Sequence, residues 1–464
     1  MPELTRRTAL GGALALVASA SVLNAPAASA AITPAAYVMG YFAESPNWEV
    51  ASYGLHLAVS RDGLEWTPLN QNNPVVLPTA GTGGLRDPYI HRKQDNTFVV
   101  LATDLKGTNW AEQNQYIHVW DSTDLRSFTG YRRIKLHSLP THSWAPEVIW
   151  DAGRRQYGIV YSANDGNRNV LMVNYTTDFR TVGGHQVYFD PGFNVIDGSF
   201  AFHNGMHYLY FKREHDFTLM GARSSSLAPG SFDRGVFTGA YRGPIGTEAP
   251  TVVKAIGQNV WYLWGDNWAP RNGYATVWRT TDLAAGTWSP VSNANFTQPM
   301  HGKHQTITEI TQVEYDNLLA RWGTPAWNRL KSHNFPDHFV RHANNVGRID
   351  QYPFDPYRDS MWRLVPGLAA STGVSFESVN FPGRFLRHSG FVVGLAPNDG
   401  SAGFRADATF HRTSGLADSR WTSFRSHNFP TRYLRHSAFA LRIDEISSAS
   451  ALGDRRDATF RIGY

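Results

Sequence analysis

Three acidic residues stand beside the same kind of break in the chain. Asp87 lies in Arg86-Asp87-Pro88, Asp197 in Ile196-Asp197-Gly198, and Glu248 in Glu248-Ala249-Pro250. Each opens a short apolar run of the sort that forms a strand. One such acid reads as a turn cap or half of an ion pair. Three at matching points of successive units need another reason, because like charges aimed into one cavity repel, and that cost is kept mainly where shifted pKa values are used. The chemistry open to such a set is glycosidic bond hydrolysis: a protonated carboxyl meets the leaving oxygen while an ionised one activates water. A third carboxylate near the acid would raise its pKa and orient it. Other nucleophiles are scarce. The chain has no cysteine, no Gly-x-Ser-x-Gly elbow and no His-Glu-x-x-His. Glu147, in Trp144-Ala145-Pro146-Glu147, is a reserve acid.

The elements that must carry these residues are periodic. Short aromatic strands lead into a recurring turn, seen at Ser60-Arg61-Asp62, Ser122-Thr123-Asp124, Thr176-Thr177-Asp178 and Thr280-Thr281-Asp282. Short polar side chains there hydrogen-bond the nearby backbone and close the turn. Strand starts recur at Asp87, at Ala145-Pro146, at Asp197, at Ala249-Pro250 and at His301-Gly302. Steps of roughly 50–60 residues with about four strands each match propeller blades. Five starts predict a five-bladed β-propeller over residues 37–323. The last start has no companion strands and the first stretch, 37–66, has strands but no start, so the two together should form one blade that closes the ring.

Beyond residue 329 the period changes. Ser332-His333-Asn334-Phe335-Pro336, Ser378-Val379-Asn380-Phe381-Pro382 and Ser426-His427-Asn428-Phe429-Pro430 each precede an Arg-His pair and, later, an aspartate. Three units, each too small to bury its own apolar face, predict a threefold β-trefoil over residues 329–464. The whole chain is thus expected to be all-β. Each unit offers a sugar-binding pair: His342 with Asp359, His388 with Asp407, and His436 with Asp457. A carboxylate and an imidazole can hold two neighbouring hydroxyls. Phe335, Phe381 and Phe429 are expected only to peg each lobe in place.

Composition narrows the function classes. Aromatic residues make up 13% of the chain and charged ones 17%, which excludes disorder over most of it. The net charge of +5 is spread without Lys/Arg runs, so nucleic acid is not an expected partner. Arg6-Arg7, a short apolar run and Ala28-Ser29-Ala30 read as a twin-arginine signal peptide over residues 1–30, which predicts a secreted, extracellular protein. No other run is long enough for a membrane span, so no membrane partner is expected.

The four ordered motifs Arg86-Asp87-Pro88, Trp144-Ala145-Pro146-Glu147, Ile196-Asp197-Gly198-Ser199 and Thr247-Glu248-Ala249-Pro250 resemble those of glycoside hydrolase family 43. That family comprises inverting arabinofuranosidases, arabinanases and xylosidases. The resemblance implies Asp87 as general base, Asp197 as pKa modulator and Glu248 as general acid. It also implies Trp144 at the edge of the sugar pocket and His304 facing an axial calcium or other ion, with no cofactor required for the chemistry. Residues 329–464 resemble the arabinofuranose-binding trefoil of carbohydrate-binding module family 42. Together the two resemblances imply an exo-acting α-L-arabinofuranosidase on α-1,5-linked arabinan, a monomer whose partner is an arabinose-containing plant polysaccharide. Arabinoxylan debranching, endo-arabinanase and β-xylosidase activities are the alternatives, and a non-catalytic arabinan-binding lectin is the remote one.

Overall fold

The computed structural model describes residues 31–45, 51–233, 237–242 and 246–464; the signal peptide expected over residues 1–30 lies outside them. From Ala36 to Ile310 the strands form five antiparallel four-stranded sheets, the blades of a β-propeller. The innermost strands are Arg86–Arg92, Trp144–Asp151, Val195–His203, Thr247–Lys254 and Gly302–Ile310. The last of these pairs with Ala36–Glu44, so both ends of the propeller meet in one sheet, as the strand count predicted. Closure is reinforced across the neighbouring blade, where the Tyr37 hydroxyl donates to the Lys254 carbonyl and accepts from the Ile256 N–H.

The polar turns form as expected. Ser122 Oγ accepts from the Leu125 N–H and Thr176 Oγ1 from the Phe179 N–H. The following aspartates, Asp124 and Asp178, accept from Arg126 and Arg180. Leu125 and Phe179 are buried, which pins each turn to its blade.

A second regularity positions the functional residues. Each innermost strand carries a bulge, and in each bulge one non-glycine residue has positive φ: Asp87, Ala145, Asp197, Ala249 and His304. Such backbone is costly for residues with a Cβ and persists where surrounding bonds hold it. Here they do. Thr103 Oγ1 accepts from the Ala145 N–H, Ser162 Oγ from Asp197, Asp197 Oδ2 from Ala249, and Asp266 Oδ2 from His304. Asp87 and Asp197 therefore occupy equivalent bulge positions. Glu248 does not, since it stands one residue before its bulge at Ala249, and the equivalent point of the fifth blade is His304 rather than His301.

Sequence patterning did not foresee the helix Gln312–Trp322, which follows the propeller. A capping box joins Thr311 and Glu314 at its start, and Glu314 also binds Arg92 at 2.8 Å. Leu318 enters the core between the closing blade and the blade containing Asp87, and Trp322 Nε1 donates to the Leu125 carbonyl.

The C-terminal part is a ring of six strands capped by three hairpins. Arg329–Ser332, Phe460–Gly463, Thr422–Ser426, Phe410–Ser414, Val374–Ser378 and Trp362–Pro366 pair in that order, and an Asn328–Trp362 bridge closes the ring. The hairpins meet pairwise through Val346–Gly394, Arg348–Ala440 and Val392–Arg442. Equivalent residues of all three units, such as Val340, Leu386 and Leu434, fill one shared core. Trp362 lies in this core, wholly buried, and its Nε1 donates to the Val340 carbonyl at 3.1 Å. Trp362→Ala should lower stability by about 3–5 kcal/mol, from lost contacts plus a stranded carbonyl. Urea unfolding measures this, and a loss under about 1 kcal/mol would mean the core refills the space.

Candidate functional site

The bulges converge at one end of the propeller axis on a cavity of about 580 Å³. Asp87, Asp197 and Glu248 all line it, with Trp110, Trp144 and Trp268 around them. Trp144 stacks on His142 at 3.6 Å and meets the edge of Trp110 at 5.9 Å between ring centroids. Trp110 and Trp268 are 54% and 41% exposed, unusual for tryptophan and suited to stacking on a sugar face. Most other tryptophans, including Trp66, Trp120, Trp261 and Trp264, pack within and between blades.

The three acids differ in their surroundings. Asp87 Oδ1 pairs with His304 Nδ1 at 2.9 Å, and its Oδ2 accepts from Thr103 Oγ1 at 2.7 Å. Burial opposes its charge, but the His304 and Arg86 cations and these bonds outweigh burial and hold the carboxyl below its usual range. Asp197 is pushed up to about 6, by burial first and by the charges of Glu248 and Asp87, against the pull of His304 and Lys212. Glu248 Oε2 receives Lys212 Nζ at 3.0 Å. Burial again works against the charge, but Lys212, Lys303 and Arg86 prevail and keep Glu248 below its usual range. This corrects the expectation that a third carboxylate would raise the pKa of Glu248. The carboxyl that is raised is Asp197, where burial and the Glu248 and Asp87 charges outweigh the nearby cations, whereas at Glu248 the three cations outweigh burial.

Burial favours the neutral form of His304, yet Asp87, Asp197 and Asp266 lift it to about 9, which makes it an imidazolium beside Asp87 in the free protein. Among the described residues no group of three or more His, Asp or Glu side chains is arranged to hold a metal ion by protein ligands alone. Glu147 lies deeper along the axis, beside Asp87 and His304 but outside the cavity lining. Its Oε2 accepts from the Phe200 N–H, and burial pushes its pKa up to about 8.

Sequence reasoning did not single out the cations. Arg86 pairs with Glu44 at 2.8 Å and Lys303 with Asp266 at 2.9 Å, all four side chains buried. Lys212 had a legible signal: it shares one face of its strand with buried Tyr208 and Tyr210, so alternation alone aims it inward.

The C-terminal units each assemble a polar site across a unit boundary. Asp359, Asp407 and Asp457 receive Arg341, Arg387 and Arg435 at 2.6, 3.1 and 2.7 Å on one oxygen. The other oxygen faces His342, His388 or His436 at 3.4–3.6 Å and accepts from an asparagine of another unit: Asn380, Asn428 or Asn334. These asparagines were within the repeated motif, and their recurrence was the available signal. Phe381, Phe429 and Phe335 are 44%, 38% and 36% exposed and set their rings against the three histidines at 5.4–5.5 Å. They are open apolar walls of these sites rather than buried pegs, because each ring lies against the histidine of a neighbouring unit instead of in the shared core. The first unit differs in that Asp359 sits in the 3-10 turn Tyr357–Ser360, whereas Asp407 and Asp457 end short α-helices.

An axial cavity that gathers three carboxylates supplies the acid and base that glycosidic bond hydrolysis needs. Residues 33–316, more than half of the chain, match the family 43-related family described as "Probable glycosyl hydrolase domain", and the chain belongs to that family. Residues 328–462 match the "Alpha-L-arabinofuranosidase B (ABFB) domain". The chain is 30% identical over 176 residues to an α-L-arabinofuranosidase of Bifidobacterium longum subsp. longum, covering 31% of this chain and 16% of that protein. It is 27% identical over 284 residues to α-L-arabinofuranosidase B of Penicillium canescens, covering 56% and 57%. The chain thus spans well under two thirds of these relatives. Among solved structures, an exo-β-1,3-galactanase from Clostridium thermocellum aligns at 14% identity over 92% of this chain and 93% of its own, with a TM-score of 0.42.

The axial carboxyls predict a pH response. Glu147 in the folded chain keeps its proton up to about pH 8, whereas unfolded it releases it near its ordinary value of 4.5. Stability should therefore fall as pH rises between those values and level off above. Glu147→Gln should remove roughly 3–4 kcal/mol of that fall between pH 5 and pH 8. Urea unfolding at pH 5 and pH 8 compares the two proteins, and equal slopes would put the proton elsewhere.

Proposed function

We propose that this protein is an exported, inverting α-L-arabinofuranosidase that removes arabinose from the ends of α-1,5-linked arabinan, with its C-terminal part acting as a β-trefoil that holds arabinofuranose units of the polymer. The observation that carries this reading is the meeting of Asp87, Asp197 and Glu248 in one tryptophan-rimmed cavity. The family membership supports the reaction class, and the match to the arabinofuranosidase B domain supports the sugar.

In this reading Asp87 is the general base. It is ionised in the free protein, and the Thr103 and His304 contacts orient it toward a water that attacks the anomeric carbon. Glu248 donates the proton to the leaving oxygen. Its problem is Lys212, which favours the ionised form. Asp197 supplies the remedy, because it is the cavity carboxyl that keeps a proton to about pH 6, and the nearby Glu248 charge is one of the causes that raise it. A substrate oxygen that displaces the Lys212 ammonium from Glu248 would shift that proton to where the leaving group needs it. The rate for a poor leaving group should thus fall as pH rises past about 6. Lys212→Met should move that limb upward; an unmoved limb in kcat/KM profiles would remove Glu248 from the acid role.

Asp87→Asn should reduce turnover by at least about 10²-fold while leaving polymer binding intact. The decisive assay is early product analysis on linear arabinan. Arabinose alone supports end-wise attack, and a ladder of oligomers would instead make the protein an endo-arabinanase. For the C-terminal sites, the variant carrying Asp359→Ala, Asp407→Ala and Asp457→Ala should lose retention in arabinan affinity gels and keep activity on a small aryl arabinofuranoside. Unchanged retention would place polymer binding elsewhere.

A further inference from the structure

The loop that joins the strands Trp261–Asn267 and Tyr274–Thr280 touches both domains. Two of its residues, Trp268 and Asn272, line the axial cavity. Arg271, between them in the chain, reaches the C-terminal ring. Its Nη1 donates to the Tyr352 carbonyl at 2.8 Å and pairs with Asp337 at 3.4 Å, and its guanidinium lies over the Tyr274 ring at 4.2 Å. The support it grips is itself fixed. The Tyr352 N–H donates to the Asp337 carbonyl at 2.8 Å, and the buried Tyr352 hydroxyl accepts from the His301 N–H beside the closing blade's innermost strand.

Asn272 ties the loop to the charges of the cavity wall. Its Nδ2 donates to Glu44 Oε1 at 2.9 Å, and its Oδ1 accepts from Lys303 Nζ at 2.8 Å. The amide thus bridges the two buried ion pairs Arg86–Glu44 and Lys303–Asp266. Hydrogen bonds weaken steeply past about 3.5 Å, so a backbone shift of about 1 Å would break both contacts of this short side chain. The ends of the loop are held by the blade: the Trp268 N–H donates to the Gly246 carbonyl at 2.9 Å, and the Gly273 N–H to the Asn267 carbonyl at 3.2 Å. Gly273 has positive φ, and a Cβ there would stand 3.3 Å from the Glu44 carbonyl oxygen. Between these ends, Arg271 ties the loop to the ring.

Taking the axial cavity as the glycosidase site proposed above, we infer that Arg271 is a positioning residue for it: by docking the 268–273 loop on the first unit of the ring, it holds Trp268 and Asn272 in the wall that receives the sugar. The ring then has a second role besides holding polymer. It completes the pocket even for a substrate too small to reach the ring's own sites.

The test compares full-length Arg271→Met and Arg271→Lys with the unaltered protein on 4-nitrophenyl α-L-arabinofuranoside and β-D-xyloside. Cleavage of the xyloside alone would overturn the arabinose assignment, and the Arg271 comparison would then be made on that sugar. Arg271→Met should raise KM by roughly 3–10-fold while kcat changes less than about twofold. A residue that only stabilised the fold would lower kcat in proportion to the folded protein lost and leave KM unchanged, and that result would overturn the proposal. Arg271→Lys keeps a donor for the Tyr352 carbonyl and should stay within about twofold of the unaltered KM; a rise as large as in Arg271→Met would also overturn it. Hydrogen exchange gives a reading that needs no catalysis. The Trp268 and Gly273 amides should exchange faster in Arg271→Met than in the unaltered protein, and equal rates would overturn the proposal whatever the sugar. Should neither glycoside be cleaved, the glycosidase reading fails, and exchange alone decides whether Arg271 holds the loop.

Discussion

Five strands that converge on one axis bring their bulges together, and the charges on those bulges must coexist in little solvent. That constraint governs the propeller. Asp87, Asp197, Glu248 and Asp266 would repel one another at the axis were it not for His304, Lys212, Lys303 and Arg86. The cations do not merely neutralise. They are placed unequally, so that Asp87 and Glu248 are held ionised while Asp197 and Glu147 retain protons into a higher pH range. One fold thus keeps acid and base within the same small space.

The backbone takes part in this arrangement. Left-handed Asp87, Asp197 and His304 at the bulges put their side chains on the axial cavity, where a regular strand would send neighbours to alternate faces. The N–H groups of Ala145, Asp197, Ala249 and His304 are caught by Thr103, Ser162, Asp197 and Asp266, so a functional carboxylate of one blade also braces the next. Asp197 does both, accepting from Ala249 while it shares the cavity with Glu248. Chemistry and architecture are carried by the same atoms, which ties the geometry of the acids to the closure of the ring.

The C-terminal part follows a different logic, in which symmetry makes the sites. No unit owns a complete one, because the asparagine comes from another unit, and Asn334 of the first serves Asp457 of the last. Ring closure is therefore needed for the third site to exist. At the domain junction the first unit and the propeller meet around Tyr352, whose hydroxyl accepts from the His301 N–H at 2.7 Å and whose carbonyl receives Arg271 at 2.8 Å. The first bond links the start of the closing blade's innermost strand to the ring, and the second links to it a loop of the blade that carries Glu248.

Much of this was written in the order of residues. Blade number, the closing strand, the polar turns and the three-unit repeat all follow from local periodicity, because alternation and turn chemistry act over a few residues. The identity of the three acids was legible too, since each stands at a strand start. What the order of residues could not determine was which cation faces which carboxylate. Lys212 is 36 positions from Glu248, and His304 is 217 from Asp87. A pKa depends on distances of a few ångströms across such separations, and those exist only once the ring has closed. The same reason explains the exposed Phe335, Phe381 and Phe429 and the reach of Arg271 to Tyr352. A side chain's neighbours in space, rather than its neighbours in the chain, decide whether it serves as a peg, a wall or a brace.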